Sequence, residues 1–187
     1  MDSNEVGVGA CIVKKKRGKN DTWLTPIRLI WELGEFDMDP CTPSNMPWQT
    51  AKVMLTEKED GLKSKWEGRI WLNPPFSNIA PWIEKLARHG NGIVLIPFHV
   101  ENPWFHWFVF GRADAVFVPM YRAINFYDPN GGKKHRPFTP LVLVAYGEEN
   151  VRAMQRQKYV DGCLMRTGDF KEYISGHLLP VEHFKGA

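Results

Sequence analysis

Asn73-Pro74-Pro75-Phe76 follows directly on a short apolar run, Arg69–Leu72, and places an amide, a carbonyl and an aromatic ring side by side. Each proline lacks an N–H donor and holds φ near about −65°, and the residue before a proline is pushed out of the helical region. The chain therefore leaves the run in one stiff shape, with the Pro74 carbonyl free of a local partner. Those groups suit a planar amine such as the exocyclic amino group of adenine, whose lone pair is delocalised into its ring. Asn73 Oδ1 can accept one amine hydrogen and the Pro74 carbonyl the other, which localises the lone pair. Phe76 can stack on the base, a contact worth about 1–3 kcal/mol in nucleic-acid binding. An electrophilic methyl group set in line would then be attacked, with the rate coming from positioning and from stabilisation of the cationic amine. No covalent intermediate is needed, and no activated cysteine or serine is visible. The plainer alternative is a rigid strand exit with no ligand.

The elements that must hold this motif are legible around it. Trp23–Phe36 reads as a short helix, with Thr25 as N-cap, Pro26 in the first helical position and Gly34 as the stop. Phe36–Asp39 reads as a strand ending at Asp39-Pro40-Cys41, and a further strand is expected at Ala51–Leu55 before a turn at Glu59-Asp60-Gly61. Gly68–Leu72 is a buried strand ending in the motif. Ser77 or Asn78 then caps a helix that carries Pro81 in its first turn and ends at Gly90. Gly92–Phe98 is a second buried strand, Pro103–Phe110 a helix stopped by Gly111, and Ala113–Met120 a third strand. Arg122–Tyr127 and Thr139–Gly147 read as a strand pair around the polar loop Asp128–Pro137, and the chain after Glu148 is polar and weakly periodic. Strands and helices in alternation, with continuous apolar strands, predict an α/β fold: a mostly parallel sheet with helices on both faces and a terminal antiparallel strand pair. Ligands of such sheets bind beyond the carboxyl ends of the strands, where both Asp39 and Asn73 fall. GVGACI near the N-terminus lacks a third glycine and precedes no helix, so no phosphate-cradling loop is expected.

Length and composition set the frame. The 187 residues, 43% hydrophobic, suit a domain with a real core, and the eight tryptophans read mostly as a dense aromatic core, with stacking of some rings on flat ligands as the alternative. No apolar run has the length of a membrane span. The N-terminus puts acids before bases, the wrong order for a secretory signal. The three cysteines have neither disulfide-framework nor zinc spacing, and no metal site is expected. A reducing cytoplasm is the natural setting. The net charge of +3 has a location: five bases (Lys14, Lys15, Lys16, Arg17, Lys19) and two acids lie in residues 1–20, and the rest of the chain holds 19 of each. Residues 1–20 therefore read as a flexible basic arm, either a solvated tail or a phosphate-contacting segment. Lys133, Lys134, His135 and Arg136 concentrate further charge in the polar loop, which is either a soluble hairpin tip or a DNA contact in which Arg136 could read guanine.

The sequence resembles the phage-type (Dam-like) DNA N6-adenine methyltransferase family, over roughly Trp23 to Tyr146. The resemblance rests on WLTP at Trp23–Pro26, DMDPC at Asp37–Cys41, EDGL at Glu59–Leu62 followed by Trp66, and WLNPPF; LIPFHVENPWFH and YRAINF resemble the later strand ends. It implies a Rossmann-like methyltransferase fold, S-adenosylmethionine as cofactor and double-stranded DNA as partner. It divides the chain into the arm (1–20), a catalytic domain (21–147) and a C-terminal extension (148–187). Asn73, Pro74, Pro75 and Phe76 would form the amino-methylating site. Trp23, Thr25 and Pro26 would lie near the cofactor, with Asp39, Pro40 and Cys41 at the strand end facing its methionine part and Asp60 near its ribose or adenine. Asp39 has an alternative role as a turn carboxylate accepting backbone N–H groups. The sequence departs from expectation in two places. Asp-Pro-Cys-Thr-Pro replaces a glycine-rich turn, and His99–Asn102 is unlike the usual continuation of that strand.

The resemblance implies methylation of adenine N6 with the base flipped from the duplex. The motif also admits cytosine N4, an RNA base or a protein glutamine as acceptor, and a non-catalytic DNA-binding protein on the same fold is the third reading.

Overall fold

A computed structural model describes residues 23–120, 124–128, the backbone of 134–135, 139–168 and 170–172. The basic arm lies outside the described residues, as do Lys133, Arg136 and the side chain of Lys134. In chain order the strands are β1 (Met38–Asp39), β2 (Val53–Met54), β3 (Ile70–Leu72), β4 (Gly92–Pro97), β5 (Ala115–Pro119), β6 (Phe126–Tyr127), β7 (Lys134–His135), β8 (Leu141–Tyr146) and β9 (Gly162–Arg166). The helices are α1 (Ile27–Leu33), α2 (Ala80–His89) and α3 (Glu148–Arg156), with a π-helix at Phe105–Phe110.

Seven strands form one sheet in the order β2-β1-β3-β4-β8-β5-β9, and β6 pairs with β7 apart from it. Side chains alternate across the sheet, so each face has its own core. Trp71, Ile93, Leu95, Leu143 and Ala145 point to the face covered by α1 and α3, alongside Leu29, Leu33, Val151 and Met154. Ile70, Leu72, Val94, Ile96, Val142 and Val144 point to the face covered by α2 and the π-helix, alongside Ile83, Leu86, Phe105 and Val109. Helices on both faces are thus observed.

The expectation of a mostly parallel sheet is corrected. The pairs β2–β1, β1–β3 and β3–β4 are parallel, whereas β4–β8, β8–β5 and β5–β9 are antiparallel. The strands β1 to β5 do run in one direction, but β8 returns between β4 and β5 instead of pairing at a sheet edge. The partner expected for it, Phe126–Tyr127, instead pairs with Lys134–His135. The reason is that burial on both faces makes a strand uniformly apolar whichever way it runs; β4 and β8 are each buried at all six positions. The polar stretch after Glu148 also contributes α3 and β9 to this sheet and core.

Helix boundaries differ locally from expectation. Thr25 does not cap α1: Pro26 occupies the cap position, with no side-chain hydrogen bond, and Gly34 at φ 95° ends the helix. In α2 no side chain caps the start either, Pro81 falls in the first turn, and Gly90 closes the helix in the left-handed region. The expected helix after Asn102 is a π-helix.

Arg69, immediately before β3, ties both ends of this arrangement together. It is 8% exposed. Its Nη2 donates to the Leu33 carbonyl at 2.9 Å and its Nη1 to the Glu35 carbonyl at 2.8 Å, satisfying acceptors at the C-terminal end of α1. Its Nε donates to Asn150 Oδ1 at 2.6 Å, and the guanidinium lies 4.2 Å from the Phe36 ring centroid. Asn150 in turn donates to the Tyr146 carbonyl and to Asn91 Oδ1. One planar fork therefore joins α1, β3, the turn into β4 and α3. Arg69→Ala leaves two buried acceptors and a third, part-buried one short of a donor and should lower the unfolding free energy by about 3 kcal/mol or more. Arg69→Lys should recover little, because an ammonium cannot reproduce the fork. Denaturant unfolding of the two variants checks this; a loss below about 1 kcal/mol for Arg69→Ala contradicts it.

Candidate active site

Because β1 and β3 are parallel neighbours, with Met38 opposite Ile70, their carboxyl ends open on the same edge of the sheet. A cleft of about 240 Å³ lies there, lined by Trp23, Pro40, Cys41, Thr42, Pro43, Thr56, Glu57, Asp60, Gly61, Asn73, Pro75 and Trp82. The volume is somewhat below the roughly 300–1,000 Å³ of most small-molecule sites. The fold thus brings Asn73 and Pro75 of the proline motif together with Trp23, Pro40, Cys41 and Asp60 from three separate stretches of sequence.

Asn73 is oriented by a single hydrogen bond. Its Nδ2 donates to the Trp23 carbonyl at 2.8 Å. A carbonyl can only accept, so this bond fixes which end of the amide is which. The other end, Oδ1, is buried and has no partner among the described residues. Nor does any described group donate to the Pro74 carbonyl. Two acceptors on adjacent residues of the strand exit therefore lack a donor; Pro74 itself is buried and does not line the cleft. Among the described residues the other buried side-chain polar atoms without a partner are Thr25 Oγ1, next to Leu24, and Trp48 Nε1. Trp48 packs edge-on against Tyr127, and Leu24 is bridged to Tyr127 through both backbone groups. Native proteins leave few such atoms unpaired.

The strand-end turn is built on Asp39. Its carboxylate is 3% exposed, accepts Thr50 Oγ1 at 2.5 Å and the Cys41 amide at 3.1 Å, and does not line the cleft. Burial pushes its pKa up to about 6 against these hydrogen bonds. The wall in front of it is Pro40, Cys41 and Thr42. Burial, with Asp39 and Glu57 nearby, pushes the Cys41 thiol up to about 12, so it stays protonated and inert. Gly61 closes against this turn: a Cβ there would collide with the Pro40 carbonyl. Beside it Asp60 adopts φ 49°, the one positive value at a non-glycine among the described residues. Its carboxylate pairs with Lys63 at 2.7 Å, which holds its pKa below the ordinary range.

Other expected residues stand further back. Thr25 and Pro26, which follow Trp23 in the chain, are buried and do not line the cleft. Phe76 is half-buried between the two cores and meets Phe126 edge-on at 6.5 Å, and Trp23 tilts against the same ring at 5.8 Å. Thr42, Pro43, Thr56, Glu57, Trp82 and the aromatic support from Phe126 were not anticipated. The signal for Glu57 was an acid just past an expected strand; for Trp82, a tryptophan in the first turn after the motif. Among the described residues no group of metal-ligating side chains comes together, and no helix is long and apolar enough to cross a membrane.

The buried Asp39 sets a pH dependence. Its folded pKa lies above the ordinary 3.8, so the protonated form is favoured in the native state. The associated stability is fully present below about pH 4 and is lost as pH rises through about 6, by roughly 3 kcal/mol in total. Asp39→Asn keeps an acceptor for the Cys41 amide and removes the titration. Relative to wild type, the variant should gain stability as pH rises from 4.5 to 7.5 in denaturant unfolding; parallel profiles contradict the buried charge.

Comparison with known proteins gives the family. Residues 13–148 match the family described as DNA N-6-adenine-methyltransferase (Dam). A curated relative, the DNA N-6-adenine-methyltransferase of Haemophilus phage HP1, is 22% identical over 156 residues, covering 78% of this chain and 89% of its own length. No solved structure matches the chain. A family match across most of the sequence, over a cleft that presents Asn73 at a strand end, identifies the chain as a member of the DNA N-6-adenine-methyltransferase family, an enzyme of DNA adenine methylation.

Proposed function

We propose that the chain transfers a methyl group from S-adenosylmethionine to the N6 amine of an adenine flipped out of double-stranded DNA, at Asn73-Pro74-Pro75-Phe76, on a Rossmann-like methyltransferase fold. The observation that carries this reading is the unpartnered Asn73 Oδ1 beside an unpartnered Pro74 carbonyl. Two fixed acceptors suit the two hydrogens of one primary amine, and they gain strength as that amine becomes cationic. Phe76, braced by Phe126, gives the base an apolar neighbour and keeps water from the amine.

The cleft fits the cofactor by its donor set. Glu57 and Asp60 offer carboxylates to ribose hydroxyls or an adenine amine, Trp23 and Trp82 offer ring faces, and the buried Asp39 supplies negative charge behind the Pro40–Cys41–Thr42 wall. S-adenosylmethionine, when bound, supplies an electrophilic methyl on a sulfonium, and the acidic lining favours its positive charge. The setting we infer is the reducing cytoplasm of a bacterial or phage-infected cell, consistent with free thiols at Cys41 and Cys163.

DNA contact is assigned to the arm, through Lys14, Lys15, Lys16 and Arg17, and to Lys133, Lys134 and Arg136 in the 128–137 loop. The loop's root, β6–β7, is bonded to the Trp23 segment through the Leu24–Tyr127 bridge, so it adjoins the Asn73 site.

Asn73→Ala should lower methyl transfer at saturating S-adenosylmethionine on the order of 10²-fold or more, with some loss of S-adenosylhomocysteine affinity because the Trp23 wall loses its hydrogen bond; near-normal turnover removes the site. Deleting residues 1–19 should weaken DNA binding uniformly across sequences and flatten the salt dependence by about 0.9 for each phosphate that the arm neutralises. An unchanged slope returns the arm to a solvated tail.

A further inference from the structure

The loop that carries Asp60 and Gly61 is held from behind by α2, the helix that begins just after the proline motif. Lys85 is the grip. Its ammonium donates to three backbone carbonyls, Gly61 at 3.0 Å, Leu62 at 2.6 Å and Ser64 at 2.5 Å. All three of its N–H groups are thus spent on one turn, and none on a carboxylate. The same ammonium lies 4.9 Å from the centroid of the Trp66 ring. Trp66 donates Nε1 to the Gly61 carbonyl at 2.7 Å and stacks on Trp82 at 6.3 Å. Trp82 and Lys85 are three residues apart on α2, so they share a face. Trp82 lines the cleft itself.

We propose that Lys85 is a positioning residue for cofactor binding: it clamps the Asp60–Gly61 turn against Pro40, and so sets the wall that receives the nucleoside part of the cofactor. The proposal rests on the reading of this cleft as the S-adenosylmethionine site. Three features make the turn one that needs holding. Asp60 is in the left-handed region, which costs energy for a residue with a side chain. Gly61 must lie against the Pro40 carbonyl closely enough to exclude any Cβ. The Lys63–Asp60 pair is exposed on both sides and contributes little to fixing the backbone. A charge-assisted bond to each of three carbonyls in one turn supplies the missing constraint. Because α2 starts at the motif that holds the acceptor amine, the same helix keeps the cofactor wall and the acceptor site in register.

The test compares wild type with Lys85→Met, Lys85→Gln and Lys85→Arg. The readouts are affinity for S-adenosylhomocysteine by calorimetry, KM for S-adenosylmethionine, kcat at saturating cofactor and Tm. Lys85→Met should weaken S-adenosylhomocysteine binding and raise the cofactor KM by about tenfold or more, with kcat within about twofold of wild type. Lys85→Gln, which keeps two donors, should fall between, and Lys85→Arg should recover most of the affinity. A lowered Tm with unchanged cofactor affinity makes Lys85 merely structural and overturns the proposal, as does a fall in kcat at unchanged cofactor KM. If Lys85→Met does not fold, Lys85→Gln decides by the same criteria. Wild type that binds S-adenosylhomocysteine beside variants that bind it equally well removes only the role of Lys85. Wild type that binds none removes the cofactor reading with it.

Discussion

The hydrogen bond from Asn73 Nδ2 to the Trp23 carbonyl is the interaction on which the site depends. Without it the amide could turn, and either end could face the cleft. With it, Nδ2 is held on Trp23 and Oδ1 is left as a buried acceptor with no partner among the described residues. The bond also draws the segment before α1 across the end of β3, so Trp23 forms one wall of the cleft. That segment is held in turn by the Leu24–Tyr127 bridge and by Phe126, which braces both Trp23 and Phe76. A small strand pair outside the main sheet thereby supports the residue expected to do the chemistry.

The main sheet divides its labour. Its parallel half, β2-β1-β3-β4, puts the ends of β1 and β3 on one edge, which a hairpin could not do. Its antiparallel half, β8-β5-β9, adds two buried faces and carries α3. Arg69 couples the halves, because its guanidinium reaches α1 on one side and Asn150 of α3 on the other. The buried Asp39 and the close Gly61–Pro40 contact are local costs of shaping the cleft. Both sit at the edge where a ligand is expected, and neither lies in the remote core.

Much of this was legible in the sequence because it rests on strong local constraints. Two consecutive prolines admit few shapes, so the exit from β3 and its open acceptors could be read directly. Gly34 and Gly90 marked helix ends correctly because left-handed stops favour glycine. Strand direction was not legible: Leu141–Tyr146 has the apolar continuity of any central strand, and only tertiary structure places it between β4 and β5. Thr25 had the composition of a cap, yet the chain spends its hydroxyl elsewhere, buried and unpaired beside the site. Lys85 and Phe126 could not have been found by spacing. Their partners lie 19–24 and 50 or more residues away in sequence, and only the fold brings them together.

If the unpartnered acceptors at Asn73 and Pro74 receive the N6 amine of adenine in DNA, the transferred methyl group must end on that nitrogen. The most direct measurement is incubation of the wild-type chain with methyl-labelled S-adenosylmethionine and unmethylated duplex DNA, followed by digestion to nucleosides and identification of the labelled product. Label confined to N6-methyldeoxyadenosine is the expected result. Label on cytosine, or DNA bound with no label transferred, contradicts it.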